Sequence, residues 1–210
     1  EEELIAFARS HNHPDITTME DFRHFIEAGV LRVTAQATID KAVWRNYPQQ
    51  EAMAATMALG LGTEESIEIA DYLLNDAGIR FALSNQYFKD GAGHESPSYN
   101  HIQIRDMAEI FETLDRMRGL YPDLYQPPRY VSPIKDPKFR LQYDFPLNFS
   151  LIGRTYPVVG DAGKARQPSE LPPRQGYPCD LDDWKIAYRH TGDERFAQCL
   201  YGPGGENLAK

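Results

Sequence analysis

Proline placement constrains this chain more than any other feature. Eleven of its 15 prolines fall between Pro122 and Pro178, and a proline every few residues removes donors and fixes φ often enough to prevent sustained helix there. The preceding residues read as helices. Thr17 or Thr18 can cap a helix with Glu20 and Asp21 in its first turn, Phe22, Phe25 and Ile26 on one face, and Gly29 as its stop. A second helix is predicted over Val33 to Trp44. Pro48 suits a first helical position, and the Ala-rich run Ala52, Met53, Ala55, Met57, Leu59 then reaches the breakers Gly60 and Gly62.

Thr63 starts the next segment, where Ile67, Ala70, Leu73 and Leu74 repeat at helical spacing, continuing past a break near Gly78 through Ile79, Ala82 and Phe88. Asp90-Gly91 ends it as a turn. Met107, Ile110, Phe111, Leu114 and Met117 form the cleanest stripe and predict a long helix from about Tyr99 to Arg118. The Pro-rich segment 122–178 is expected to be irregular but packed on the helices, because Tyr125, Tyr130, Phe139, Tyr143, Phe145, Phe149, Tyr156 and Tyr177 make it too aromatic for a linker. Asp180 can cap a helix through Trp184 and Tyr188, and Asp193 a short last one. The fold class is all-α, one domain over residues 1–210.

With 41% hydrophobic and 25% charged residues the chain can bury a core. Its longest apolar runs break within about ten residues, short of the ~20 needed to span a bilayer, so no membrane contact is expected. Residue 1 is Glu, and neither an initiator Met nor a basic-then-apolar signal stretch is visible at the start, so a processed or excised chain is expected. Cys179 and Cys199 permit one bridge at most and read as small core residues. The net charge of -9 disfavours a nucleic-acid partner. Residues 122–178 run against that sign, with Arg129, Lys135, Lys138, Arg140, Arg154, Lys164, Arg166 and Arg174 against five acids.

His-Glu-x-x-His, phosphate-loop, dinucleotide and nucleophile-elbow motifs are absent from the sequence. His11 and His13 lack a nearby third ligand and read as solvated. The densest cluster of reactive groups is DGAGHESPSYNH, Asp90 to His101, between two helices where a scaffold can present it. Read structurally, it is a turn, a Ser96 or Ser98 cap and a first buried aromatic. A second cluster, Trp44-Arg45-Asn46-Tyr47-Pro48, sits at a helix N-terminus, where free N–H groups favour an anion. There an Asn46 cap is the plain alternative.

In this order, the two clusters resemble the heparinase II/III-like polysaccharide lyases and related alginate lyases. The matching stretches are RNYPQQEAMAATMALGLG with Asn46, DGAGHESPSYNH with Tyr99, and YPVVGDAGKARQP at Tyr156 to Pro168. The resemblance implies an (α/α) toroid of helical hairpins, here incomplete, and a β-sheet domain outside this chain that supplies a catalytic His. It also implies an acidic polysaccharide as partner, no cofactor, and a periplasmic or secreted location. Tyr47 stands where many relatives carry His, so the base assignment stays open.

Such a lyase removes the C5 proton of a uronate and expels the O4-linked sugar. The site must neutralise the uronate carboxylate while charge develops. Asn46 is the expected clamp, with Arg45 beside it. Tyr99 is the expected acid/base, with His94 as its partner. His101 is about 200° round the helix from Tyr99 and ranks below His94. Tyr47, Glu95 and His101 complete the expected binding set, with Glu95 orienting the loop and Asp90 the turn residue. The basic stretch from Arg129 to Arg174 is the expected local attraction, and Tyr125 or Tyr130 the expected sugar-stacking rings. The rival readings are an inverting hydrolase using Glu95 and Asp90, a uronate C5 epimerase, and a non-catalytic carbohydrate-binding domain.

Overall fold

The computed structural model describes residues 1–43, 45–76, 78–149, 157, 159 and 181–201. Its helices are α1 (Glu2–Ser10), α2 (Met19–Ile26), α3 (Val33–Ile39), α4 (Gln49–Leu61), α5 (Glu65–Asp71), α6 (Ile79–Asn85), α7 (Pro97–Leu120), α8 (Pro137–Phe149), α9 (Leu181–Thr191) and α10 (Glu194–Gln198). The fold is all-α: among the described residues no strand forms, and Tyr87 and Gly93 make an isolated antiparallel bridge. None of the described helices is long and apolar enough to cross a membrane.

Local chemistry sets most helix ends. Thr18 caps α2 reciprocally: its hydroxyl accepts from the Asp21 amide at 3.1 Å, and the Asp21 carboxylate accepts from the Thr18 amide at 2.8 Å. Gly29, however, does not stop the chain. A glycine ends a helix by turning left-handed, which Gly29 does not do. The helix instead widens into a π-helical turn at Glu27–Arg32 and continues as α3. Glu27 bridges that turn, 2.8 Å from Arg23 and 3.8 Å from Arg32. α3 ends at Ile39, before the expected Trp44, because Lys41 takes a φ of 55° and the Ala42 amide turns back to the Ala37 carbonyl. α6 likewise stops at Asn85, short of Phe88.

The Pro-rich segment departs from expectation. α8 fills 137–149, with Pro137 at its first position and Pro146 near its end. The proline-free run between them is long enough for two turns, and Phe139, Gln142, Tyr143 and Pro146 bury one face. Proline thus brackets a helix here. Residues 150–156, 158 and 160–180, with Tyr156, Tyr177 and Cys179, lie outside the described residues. The expected packing of the segment's aromatics does hold where it is described. Phe111 on α7 meets Phe139 edge-on at 4.9 Å, Phe139 meets Tyr143 at 5.5 Å, Tyr143 meets Phe196 at 6.1 Å, and Phe196 stacks on Trp184 at 5.9 Å. This aromatic series ties α7, α8, α9 and α10 together.

The centre of the fold is the contact between α4 and α7, the most extensive between any two described helices. α4 is apolar almost all round, with Ala52, Ala54, Ala55, Ala58 and Leu61 buried. Such a helix is stable only when enclosed, and its small side chains let α7 approach closely. Contacts at the two ends fix the relative direction. Tyr121, just beyond α7, donates to the Leu59 carbonyl at 3.4 Å, and a Cβ on Gly62 would lie 2.3 Å from its ring. Tyr47, just before α4, lies beside Tyr87, whose hydroxyl donates to Gln103 Oε1 near the start of α7 at 3.0 Å. The two helices therefore run parallel with their last turns together; α7, with 24 residues against 13, extends past the start of α4, and α5 and α6 carry the chain back between them.

Enlarging a side chain inside that contact forces the helices apart. Ala55→Leu is expected to cost about 1–3 kcal/mol, read as a lower midpoint in chemical denaturation with unchanged slope.

Candidate functional site

The segment before α4 is fastened from inside the fold. The Arg45 amide donates to Gln50 Oε1 at 3.0 Å, and Gln50 Nε2 donates to Glu51 Oε1 at 3.1 Å. Glu51 itself is buried. The Asn46 carbonyl accepts from the Gln49 amide at 2.8 Å, but α4 has no side-chain cap. The Asn46 amide group is therefore not spent on capping. Arg45 and Asn46 are exposed and Tyr47 is half-buried. Trp44 lies outside the described residues.

The loop before α7 is equally constrained. The Phe88 amide donates to the Ala92 carbonyl at 2.7 Å, the Gly91 amide to the Phe88 carbonyl at 3.1 Å, and the Ala92 amide to Asp90 Oδ1 at 3.1 Å. Asp90 is thus the turn residue expected of it. Gly91 has a φ of 89°, and a Cβ there would lie 1.9 Å from the Leu141 carbonyl oxygen of α8. Only glycine fits so near that backbone. Gly93 lies as closely against Asn100. The loop then presents His94 and Glu95 to solvent, and Ser96 takes the N-cap position of α7.

Between these segments lies a buried polar junction. The Tyr87 hydroxyl bonds Gln103, and Tyr99 sits one turn earlier on the same face of α7, about 40° away. Burial pushes the Tyr47 phenol well above the ordinary phenol range, helped by the charge of Glu51 and by Tyr87 and Tyr72. Burial, with Glu95 nearby, does the same to Tyr87. Both stay neutral phenols. Burial also raises the Glu51 carboxyl, and neither its Oε2 nor the Tyr47 hydroxyl has a hydrogen-bond partner among the described residues.

Of the expected site residues, Tyr47 lies near Tyr87 and Glu95 near the same phenol, His94 is exposed on the adjoining loop, Arg45 and Asn46 are exposed just before α4, and Tyr99 is half-buried in the first turn of α7. His101 belongs elsewhere. Its Nδ1 lies 2.9 Å from Oδ2 of buried Asp183 on α9, on the flank of α7 away from Tyr99. Asp106 sits beside this pair, its carboxyl raised by burial. His11 and His13 are exposed, Cys199 is buried, and among the described residues no cluster of three metal-ligating side chains forms.

One expectation about binding is corrected. Tyr125 and Tyr130 are buried against α5, hydrogen-bonded to Ser66 and, at 3.2 Å, to Asp71, and offer no face to a sugar. In the described part of the basic stretch, Arg129 pairs with Asp71 and Arg140 with Asp193 at 2.6 Å, while Lys138 donates to the Ser84 carbonyl and Lys135 is exposed. Arg154, Lys164, Arg166 and Arg174 lie outside the described residues.

Glu51, Tyr87, Gln103 and Phe88 escape a reading by motif. Glu51 looks like an acid placed to complement a helix dipole. The available signal was its setting, since any polar residue in a helix apolar on every side must be enclosed. The chain matches no family model, no curated protein and no solved structure.

Glu51 gives a pH prediction. A carboxyl whose folded pKa is raised binds its proton more tightly in the folded state. Its stabilising contribution is whole below the ordinary glutamate range and falls as pH rises through the raised value. Glu51→Gln, which mimics the protonated acid, is expected to match the wild type in Tm near pH 4 and exceed it near pH 8. Differential scanning calorimetry across that range checks the sign.

Proposed function

We propose that the protein is a polysaccharide lyase acting on a uronic-acid-containing glycan by β-elimination, on an incomplete (α/α) toroid. What supports this reading is that α4 and α7 are adjacent and parallel, with Asn46 exposed just before the first and Tyr99 in the first turn of the second. The toroid reading draws on the same alternation, in which α5 and α6 return the chain so that α4 and α7 lie side by side.

In this mechanism the Asn46 amide, with Arg45 beside it, donates to the uronate carboxylate and stabilises the anion that develops as the C5 proton leaves. Tyr99 exchanges protons with the sugar. The C5–H electron pair becomes the C4=C5 double bond, the C4–O4 bond breaks with its own pair, and the departing oxygen takes up a proton. Tyr47 and Tyr87, held neutral by burial, add no negative charge to oppose an acidic glycan. His94 assists from the loop, and a His from a β-sheet domain outside this chain is the remaining proton carrier.

A strong anion clamp and an acid/base make separable contributions. Tyr99→Phe is expected to lower turnover by about 10²–10⁴-fold with little change in binding. Asn46→Ala is expected to lower turnover by about 10²–10³-fold. Ultraviolet absorbance of the new double bond, on alginate, heparan and glucuronan, reads both. Chain scission without that absorbance would assign the protein to hydrolysis, uronate inversion with an intact chain to epimerisation, and binding without either change to a carbohydrate-binding role.

A further inference from the structure

The loop that carries His94 holds a feature that the proposed elimination does not use. Phe88 is 56% exposed, although it sits in one of the most tightly tied loops of the chain. Its ring is paired with that of His94, centroids 4.9 Å apart and planes within 4° of parallel. An isolated exposed aromatic is ordinary and by itself says nothing. This one is fixed by three observations. Its own amide and carbonyl are bonded within the turn. Its loop is pressed on α8 at Gly91 and on α7 at Gly93. His94 covers one side of the ring, leaving the opposite side to solvent.

The loop that carries this ring is polar: Lys89, Asp90, His94 and Glu95 are all exposed. Phe88 also directly follows Tyr87, whose hydroxyl meets α7 one turn from Tyr99. A flat apolar face on a polar loop suits one ligand chemistry well: a pyranose, whose axial C–H groups form an apolar face while its equatorial hydroxyls point outward. A wholly apolar partner would leave the charged groups of the loop unpaired, and an anion alone would gain nothing from the ring face. Because the platform is rigid before binding, little side-chain entropy is lost when a sugar docks.

We propose that Phe88, backed by His94, is a stacking subsite for a sugar ring of a bound oligosaccharide, on the loop between α6 and α7. The inference rests on the reading that the protein takes a glycan, but not on the elimination chemistry. Stacking is blind to the sugar's charge, whereas the Asn46 clamp requires a carboxylate, so the two contributions separate by ligand.

The test is calorimetric titration of the full chain carrying Tyr99→Phe with three tetrasaccharides: oligomannuronate, heparosan and neutral cellotetraose. Phe88→Ala is expected to weaken every tetrasaccharide that binds by about 3- to 10-fold. Phe88→Trp should restore that affinity, and Asn46→Ala should weaken only the uronates. Ligand-induced shifts in the His94 ring protons should vanish in Phe88→Ala. Unchanged affinity in a folded Phe88→Ala protein, or no binding of any of the three, overturns the subsite. Failure of the lyase reading has a different signature: Phe88-dependent binding persists, but no unsaturated product forms with Tyr99 intact.

Discussion

The close parallel packing of α4 on α7 is the constraint on which the rest of the structure depends. It is possible because the buried positions of α4 are mostly alanine, so two backbones approach without bulky side chains to separate them. Its direction is set at the ends, by the Tyr121 phenol on the Leu59 carbonyl and by Tyr47 beside the Tyr87–Gln103 pair.

Rigidity at the candidate site comes from two different sources. The Asn46 turn is tied inward through Gln50 to a buried acid, so its exposed side chains project from a fixed backbone. The His94 loop is tied by its own turn bonds and by two glycines that allow backbone and side chains of α7 and α8 to come within van der Waals distance. Burial keeps Tyr47, Tyr87 and Glu51 biased towards their neutral forms.

Much of the helical layout was legible in order. The stripe from Met107 to Met117 gave α7 nearly to its ends, and Thr18 and Asp193 cap helices because short polar side chains accept from free amides. Gly29 misled because glycine permits a left-handed stop without requiring one, and the Glu27 ion pairs sustain the helix across it. Proline density hid α8 because an average over the segment conceals a proline-free run of two turns. Tyr125 and Tyr130 looked like ligand-facing aromatics only because their partners, Ser66 and Asp71, lie about sixty residues away in the chain.

By itself, the order of residues determined which segments become helices, where caps and tight turns fall, and which two clusters carry reactive groups. These are local matters, decided by side chains within a few positions of one another. Only the tertiary structure decided that α4 and α7 run parallel, that His101 turns to Asp183, that Glu51 is enclosed, and that Phe88 stands open. Each of those depends on which helix faces which, and that is set by the shape of side chains far apart in the chain.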